Sequence, residues 1–301
     1  MEIHPKRTFI PGDDWVYFKL YTGYKTADII LKKTLPTLMT QLYNQNILQK
    51  WFFLRYADPD FHLRIRLLVR DKKEVSSVIH SFNQSLASYV QNDLIWKVQL
   101  DTYQREIERY GIFSIEHAES IFQIDSDAIV HILKILDEQQ ADGQRWLVAL
   151  KIVDDMISDF QLDINDKSSF LNALSDDFKK ETGFHIKGYK LQLDRKYRTH
   201  RRSLEQVMTL ADPVVLAAPV LQILERRSAG ISPIAAKLLQ MEKDRNLDVP
   251  IHQLLRSLIH MTVNRMFRSK QRVYEMVIYD MLSRYYCSLA ARNKRNIINY
   301  V

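Results

Sequence analysis

Residues 61–69 read Phe-His-Leu-Arg-Ile-Arg-Leu-Leu-Val. Side chains of a strand alternate between its two faces, so Phe61, Leu63, Ile65 and Leu67 share one face and His62, Arg64 and Arg66 the other. Such a segment asks for a sheet with one apolar face against a core and one basic face turned away from it. The residues around it supply the rest of that sheet. Trp15–Tyr21 alternates in the same way, with Trp15, Tyr17, Lys19 and Tyr21 opposite Val16, Phe18 and Leu20. Residues 26–45 carry a helical period through Leu31, Leu35, Leu38 and Leu42, with Pro36 expected to kink or split the helix. A second strand at Lys50–Tyr56 leads through the turn residues Ala57-Asp58-Pro59-Asp60 into the third at 61–69. A helix over about 72–90 and a strand over about 94–101 follow.

The order βαββαβ predicts an α+β fold, a ferredoxin-like four-stranded antiparallel sheet with helices on one face. From about 114 onward the pattern is helical, with helices expected at 115–122, 126–138, 143–160, 167–181, 213–228, 231–242, 249–266 and 269–293. The most irregular stretch is about 182–202, where Gly183, Gly188 and many basic residues interrupt the period. No linker is evident, so residues 1–301 read as one domain, an α+β part over about 1–112 and a helical part over about 113–301. The few glycines (7) and prolines (8) argue against an all-β architecture.

Several chemistries lack their residues. There is no Walker A, GxGxxG, HExxH, CxxC or GxSxG pattern. His252 and His260 have no suitably spaced acidic or Cys partner for zinc, so no metal is expected. Cys287 is the single cysteine and reads as a helix thiol, without an intrachain disulfide. A net charge of +7 points to an anionic partner. The strand at 61–69 lacks the glycines and stacking aromatics of an RNA-recognition strand, which weakens a direct nucleic-acid role. No apolar run reaches the ~20 residues of a membrane span and no signal-peptide core is present, so the cytoplasm is the default expectation.

Three segments carry candidate chemistry. Arg64 and Arg66, about 7 Å apart along a rigid strand, suit the clamping of carboxylates, although a solvated basic face explains the pattern equally simply. If residues 103–110 are helical, Glu106 and Arg109 share a face at i,i+3, as many surface pairs do. On a helical wheel Ile251, Leu254, Leu255 and Leu258 form the apolar stripe, and Arg256, His260 and Asn264 project from the other side. An imidazole there faces water or a cleft, where it can move a proton near neutrality.

The segments Trp51–Tyr56 with His62–Arg66, then Arg105–Gly111, then His260–Arg265, together with Trp15–Gly23, occur in one order at large spacings. As a set they closely resemble the C-terminal elimination domain of class I lantibiotic dehydratases, a family that includes stand-alone thiopeptide-type bacteriocin biosynthesis proteins. The resemblance runs from about Arg7 to the C-terminus. It implies a lyase that eliminates glutamate from glutamylated Ser or Thr of a precursor peptide, leaving dehydroalanine or dehydrobutyrine. Arg64, Arg66 and His260 match the family's catalytic positions, and Glu106 and Arg109 its glutamate-binding pair. Asn264, one turn from His260, could orient it. No cofactor is implied. The partners implied are the glutamylated peptide, a separate tRNA-dependent glutamylating component and, since such enzymes are often dimeric, a second copy. The alternatives are the family's pyridine-forming cycloaddition enzymes and a non-catalytic peptide-binding module. Nine Lys or Arg between Lys179 and Arg202, against two acidic residues, read as a solvated face or a docking surface.

Overall fold

The structure is a computed structural model that describes residues 5–182, 187–209 and 216–298. It divides into two compact units, residues 1–142 with 237–269, and residues 143–236 with 270–301. The first unit is built on the four-stranded antiparallel sheet expected from the alternating segments. Its strands are β2 (Trp15–Thr22), β3 (Leu48–Ala57), β4 (Phe61–Val69) and β5 (Ile95–Leu100), in the order β3-β4-β2-β5. A separate short ribbon pairs β1 (Thr8–Phe9) with β6 (Tyr103–Gln104).

Register follows the apolar alternation. Phe18 lies opposite Ile65 and Leu20 opposite Leu63, while on the other face Tyr17 lies opposite Arg66, Lys19 opposite Arg64 and Tyr21 opposite His62. A one-residue slip would send every arginine into the core, so the pattern admits a single register. Helices α1 (Tyr24–Ile29), α2 (Leu35–Asn44) and α3 (Val75–Gln91) connect the strands. The helix through Pro36 is split as expected: residues Ile30–Thr34 form a π-helical turn and Pro36 enters at the start of α2. There its missing N–H costs nothing. Phe18 stacks on Phe82 of α3 at 4.1 Å, which places α3 on the apolar face. A groove of about 570 Å³ lies on this side, lined by Ile79, Phe82 and Val90 of α3 and Val98 and Leu100 of β5.

β3 is an edge strand, and its outward backbone groups at Phe53 and Arg55 are taken by side chains. From α10 (Ile251–Met266), the Asn264 amide accepts from Arg55 N at 2.9 Å and donates to Arg55 O at 2.8 Å, and Arg265 Nε donates to Phe53 O at 3.0 Å. From α5 (Ile115–Glu138), the Ser126 hydroxyl accepts from Phe53 N at 3.3 Å. Arg265 also pairs with Asp125 at 3.1 Å, both side chains fully buried, and Arg55 pairs with Asp28 at 2.6 Å. α5 and α10 thus belong with the sheet, and the division at about residue 112 expected from the sequence does not mark the boundary of this unit.

The second unit contains α6 (Arg145–Asp159), α7 (Ile164–Thr182), α8 (Lys187–Thr209), most of α9 (Ala218–Lys243) and α11 (Gln271–Ile298). Lys167 is buried and donates to Asp154 at 2.9 Å, Ser158 at 2.6 Å and Tyr286 at 3.0 Å, so its charge is fully partnered. Three expectations are corrected. The helices expected at 115–122 and 126–138 are one, α5. Those expected at 213–228 and 231–242 merge from Ala218 onward into α9, because the buried stripe Ile231, Ala235, Leu238 continues through Pro233. The stretch expected to be irregular is helical from Lys187, since Lys and Arg are good helix formers and Gly188 sits in the first turn; Gly183 lies outside the described residues. Cys287 is exposed on α11. Among the described residues, no helix is long and apolar enough to cross a membrane.

Asn264→Ala removes both side-chain bonds to the backbone of β3 and leaves two polar groups without partners. We expect a loss of about 2 kcal/mol, read as a lowered urea midpoint.

Candidate active site

The polar face of the sheet carries its cations in two different states. Lys19 is bonded to Asp101, whose carboxyl is held below its usual range: burial works to raise it, but Lys19, the Thr102 amide and the Arg64 charge prevail. Arg64 and Arg66 have no such carboxylate within ion-pair distance among the described residues. They rest on aromatic rings instead. The Arg64 guanidinium lies 3.3 Å from the centre of the Tyr56 ring, and its Nε donates to His62 Nε2 at 3.1 Å. Arg66 is only 8% exposed, with Tyr103 at 4.3 Å, Tyr17 at 4.8 Å and Phe52 at 5.4 Å around it. Each desolvated cation–π contact can contribute up to about 2 kcal/mol, which offsets part of the cost of burying the charge. The Arg66 Nε has no hydrogen-bond partner among the described residues. Arg64 thus spends its Nε on His62, and neither arginine spends an N–H on a carboxylate among the described residues.

Their neighbour across the polar face is the segment after β6. The helix expected over 103–110 is a single turn, α4 (Ile107–Tyr110), because Tyr103 and Gln104 pair with β1 and Arg105 is drawn onto buried Glu119 at 2.7 Å. Glu106 stands just before α4 rather than within it, yet the expected pair still forms: Arg109 Nη1 is 3.5 Å from Glu106 Oε2. Glu106 remains exposed and Arg109 half-buried. Gly111 ends α4 at φ +79°, a left-handed conformation that a side chain would strain. It also abuts Asp248, whose Oδ2 accepts from Ile112 N at 2.7 Å; a Cβ at 111 would lie 2.5 Å from Asp248 Oδ1.

Tyr110 of α4 is buried among charged groups. Burial raises its phenol well above the ordinary range, and the charges that act on it, in order, are Arg109, Glu106, Arg265 and Arg66. Its hydroxyl, like Arg66 Nε, is buried without a hydrogen-bond partner among the described residues. Tyr17 is likewise raised by burial and opposed by Arg66, Arg64 and Lys19. Arg66 thus acts on both tyrosines, together with Arg109 and Glu106 at Tyr110 and with Arg64 at Tyr17.

Helix α10 packs against α4 and against β3. Arg109 Nε donates to Ser257 on α10 at 3.2 Å, and half-buried His260 follows Ser257 by one turn on the same side. Asn264, one turn further, bonds the Arg55 backbone on β3. His260 therefore lies on the stretch of helix between Arg109 and the β3 edge. Asn264 does not orient His260 as expected: its side chain faces β3 because the edge strand there offers an unpaired N–H and C=O.

Reasoning from the sequence missed the tyrosine support. Tyr17 and Tyr56 share the arginine face by strand parity, which was a usable signal, whereas Tyr103 arrives from the β1–β6 ribbon, which two-residue strands do not announce. His62 was placed on the right face without a role.

The matched family supplies the remaining finding. Residues 15–286 match the family described as lantibiotic biosynthesis dehydratase C-term. The chain belongs to this family. Among curated relatives it is similar to the nisin biosynthesis protein NisB of Lactococcus lactis subsp. lactis, 25% identical over 285 residues that make up 94% of this chain and 26% of that protein. It is also similar to the subtilin biosynthesis protein SpaB of Bacillus subtilis, 27% identical over 179 residues, 58% of this chain and 17% of SpaB. The chain thus spans about a quarter of the length of NisB. Its fold is shared with the tRNA-dependent lantibiotic dehydratase MibB from Microbispora sp. 107891, with TM-score 0.72 and 22% identity over 94% of this chain and 29% of that one. It is shared too with TbtD, a pyridine synthase from thiomuracin biosynthesis, with TM-score 0.67 and 12% identity over 92% and 98% of the two chains.

Arg66→Lys keeps the charge but loses the planar group that fills the cage of three rings. We expect the fold to persist by circular dichroism while the turnover assayed below falls by about 10- to 100-fold.

Proposed function

We propose that this chain is a lyase that eliminates glutamate from glutamylated Ser or Thr residues of a precursor peptide. The observation that carries the reading is the contrast among its arginines. Arg55, Arg105 and Arg265 are neutralised by Asp28, Glu119 and Asp125, whereas Arg64 and Arg66 are backed by aromatic rings and have no carboxylate partner among the described residues. Two guanidiniums without a carboxylate partner, together with an exposed glutamate, suit a substrate that bears carboxylate and ammonium, as a glutamyl ester does.

The reaction needs few parts. A base removes the α-proton of the esterified residue, the electron pair forms the Cα–Cβ double bond, and the Cβ–O bond breaks to release glutamate as its carboxylate. In this reading His260 moves the proton. Arg64 and Arg66 hold carboxylate charge and stabilise the enolate and the leaving group, since a guanidinium stays cationic throughout. Glu106 pairs with the glutamyl ammonium and Arg109 holds Glu106 in place. A separate tRNA-dependent glutamylating component would supply the substrate. The strand order, with the first and third strands of the βαββαβ unit at the centre, supports a ferredoxin-like description of the sheet.

The near full-length match to a pyridine synthase favours a second reading, a cycloaddition on an already dehydrated peptide. The two separate on substrate. Incubated with a synthetic glutamylated peptide, with the glutamylating component present and absent, the chain should release glutamate and leave a dehydro residue, followed by mass spectrometry. His260→Ala should retain the fold and leave the glutamylated peptide intact. Inertness towards that peptide in both conditions, with conversion of a bis-dehydroalanine peptide, would replace elimination by cycloaddition.

A further inference from the structure

His62 is fully buried on the arginine face, its ring between Tyr21 at 4.7 Å and Tyr56 at 5.6 Å. Its Nδ1 lies 2.8 Å from the carbonyl oxygen of Asp60, in the turn that contains the cis Asp58–Pro59 bond. A carbonyl only accepts, so Nδ1 carries the proton. Its Nε2 lies 3.1 Å from Arg64 Nε, whose N–H only donates, so Nε2 is unprotonated. Two partners of fixed character thus specify one form, a neutral imidazole with the proton on Nδ1.

The same bond constrains Arg64. A guanidinium can take a carboxylate side-on, through Nε and one terminal nitrogen, or end-on, through both terminal nitrogens. Here Nε is engaged by His62 and one face is covered by Tyr56 at 3.3 Å. Only the end-on edge remains available for a bidentate contact.

We propose that His62 is a positioning residue that fixes Arg64 as an end-on carboxylate fork, and that protonation of His62 releases that fork. This rests on the reading of the arginine face as a carboxylate site. The groups that face His62 are Lys19 and Tyr21 on β2, Tyr56 on β3, Arg64 on β4, and Asp58 and Asp60 in the turn. Burial holds the imidazole below its ordinary 6.5; the bond to Asp60 opposes this, the Arg64 and Lys19 charges reinforce it, and Asp58 opposes it weakly. As the pH falls through that lowered value, Nε2 gains a proton and two donors face each other. Carboxylate binding is therefore intact at neutral pH and weakens below 6.5.

Two variants and one spectroscopic measurement test the proposal. In His62→Gln an amide oxygen can accept from Arg64 Nε without titrating; in His62→Phe the ring packing stays and the acceptor is lost. His62→Phe should raise KM for the glutamylated peptide about tenfold with kcat within about twofold, and His62→Gln should restore KM at pH 7. The acid limb of kcat/KM assigned to His62 should be absent from His62→Gln. A wild-type KM in His62→Phe, or an unchanged acid limb in His62→Gln, would overturn the proposal. Independently of catalysis, 15N NMR should show the neutral Nδ1–H form titrating below 6.5. Glutarate should then shift the terminal nitrogens of Arg64 more than its Nε. An Nε2–H form, or a response centred on Nε, would also overturn it. If wild type eliminates nothing, the elimination reading fails alone, and the NMR results still decide the role of His62.

Discussion

The sheet ends at β3, and the outward backbone of that strand at Phe53 and Arg55 is satisfied by polar side chains that α10 and α5 lay along it. Asn264 acts there as a short piece of strand, offering one acceptor and one donor to Arg55. Arg265 reaches past it to Phe53 O while its charge is met by Asp125. A bare edge would invite pairing with another chain, and a helix pinned to it removes that hazard. The same attachment sets where α10 runs. Ser257 meets Arg109 and His260 follows one turn later, so the position of the candidate proton-transfer group depends on bonds made at the edge of the sheet.

Burying cations in this unit has two solutions, and the difference between them separates scaffold from site. Arg55, Arg105 and Arg265 are matched by carboxylates and bonded to the backbone, which makes them rigid and chemically silent. Arg64 and Arg66 are stabilised by the faces of aromatic rings, which favour the cation without occupying its N–H groups. A ring can hold a guanidinium in place while leaving its hydrogen-bonding edge to a ligand. A carboxylate cannot do this, because it takes that edge for itself.

The strands and the side of the sheet on which the arginines stand were legible in the sequence because period-2 alternation is local and the apolar face of β4 tolerates no slip. The split helix at Pro36 was legible for a similar reason, since one residue forces it. What the sequence hid was non-local. The ribbon that brings Tyr103 to Arg66 has only two residues per strand. The pairing of Asn264 with β3 joins positions 209 apart in the chain. His62 could be assigned a face from parity, but its bonds depend on the turn at Asp60 and on the rotamer of Arg64, which periodicity does not encode.

Gly111 and Asp248 narrow the routes by which this chain can diverge. A side chain at 111 must displace the carboxylate of residue 248, and a smaller residue at 248 gives up the amide of Ile112. Neither position can drift alone without disturbing the exit of α4, and with it the aim of Arg109. A buried glycine and an exposed carboxylate are thereby tied together, so a change at either one carries its cost to the other.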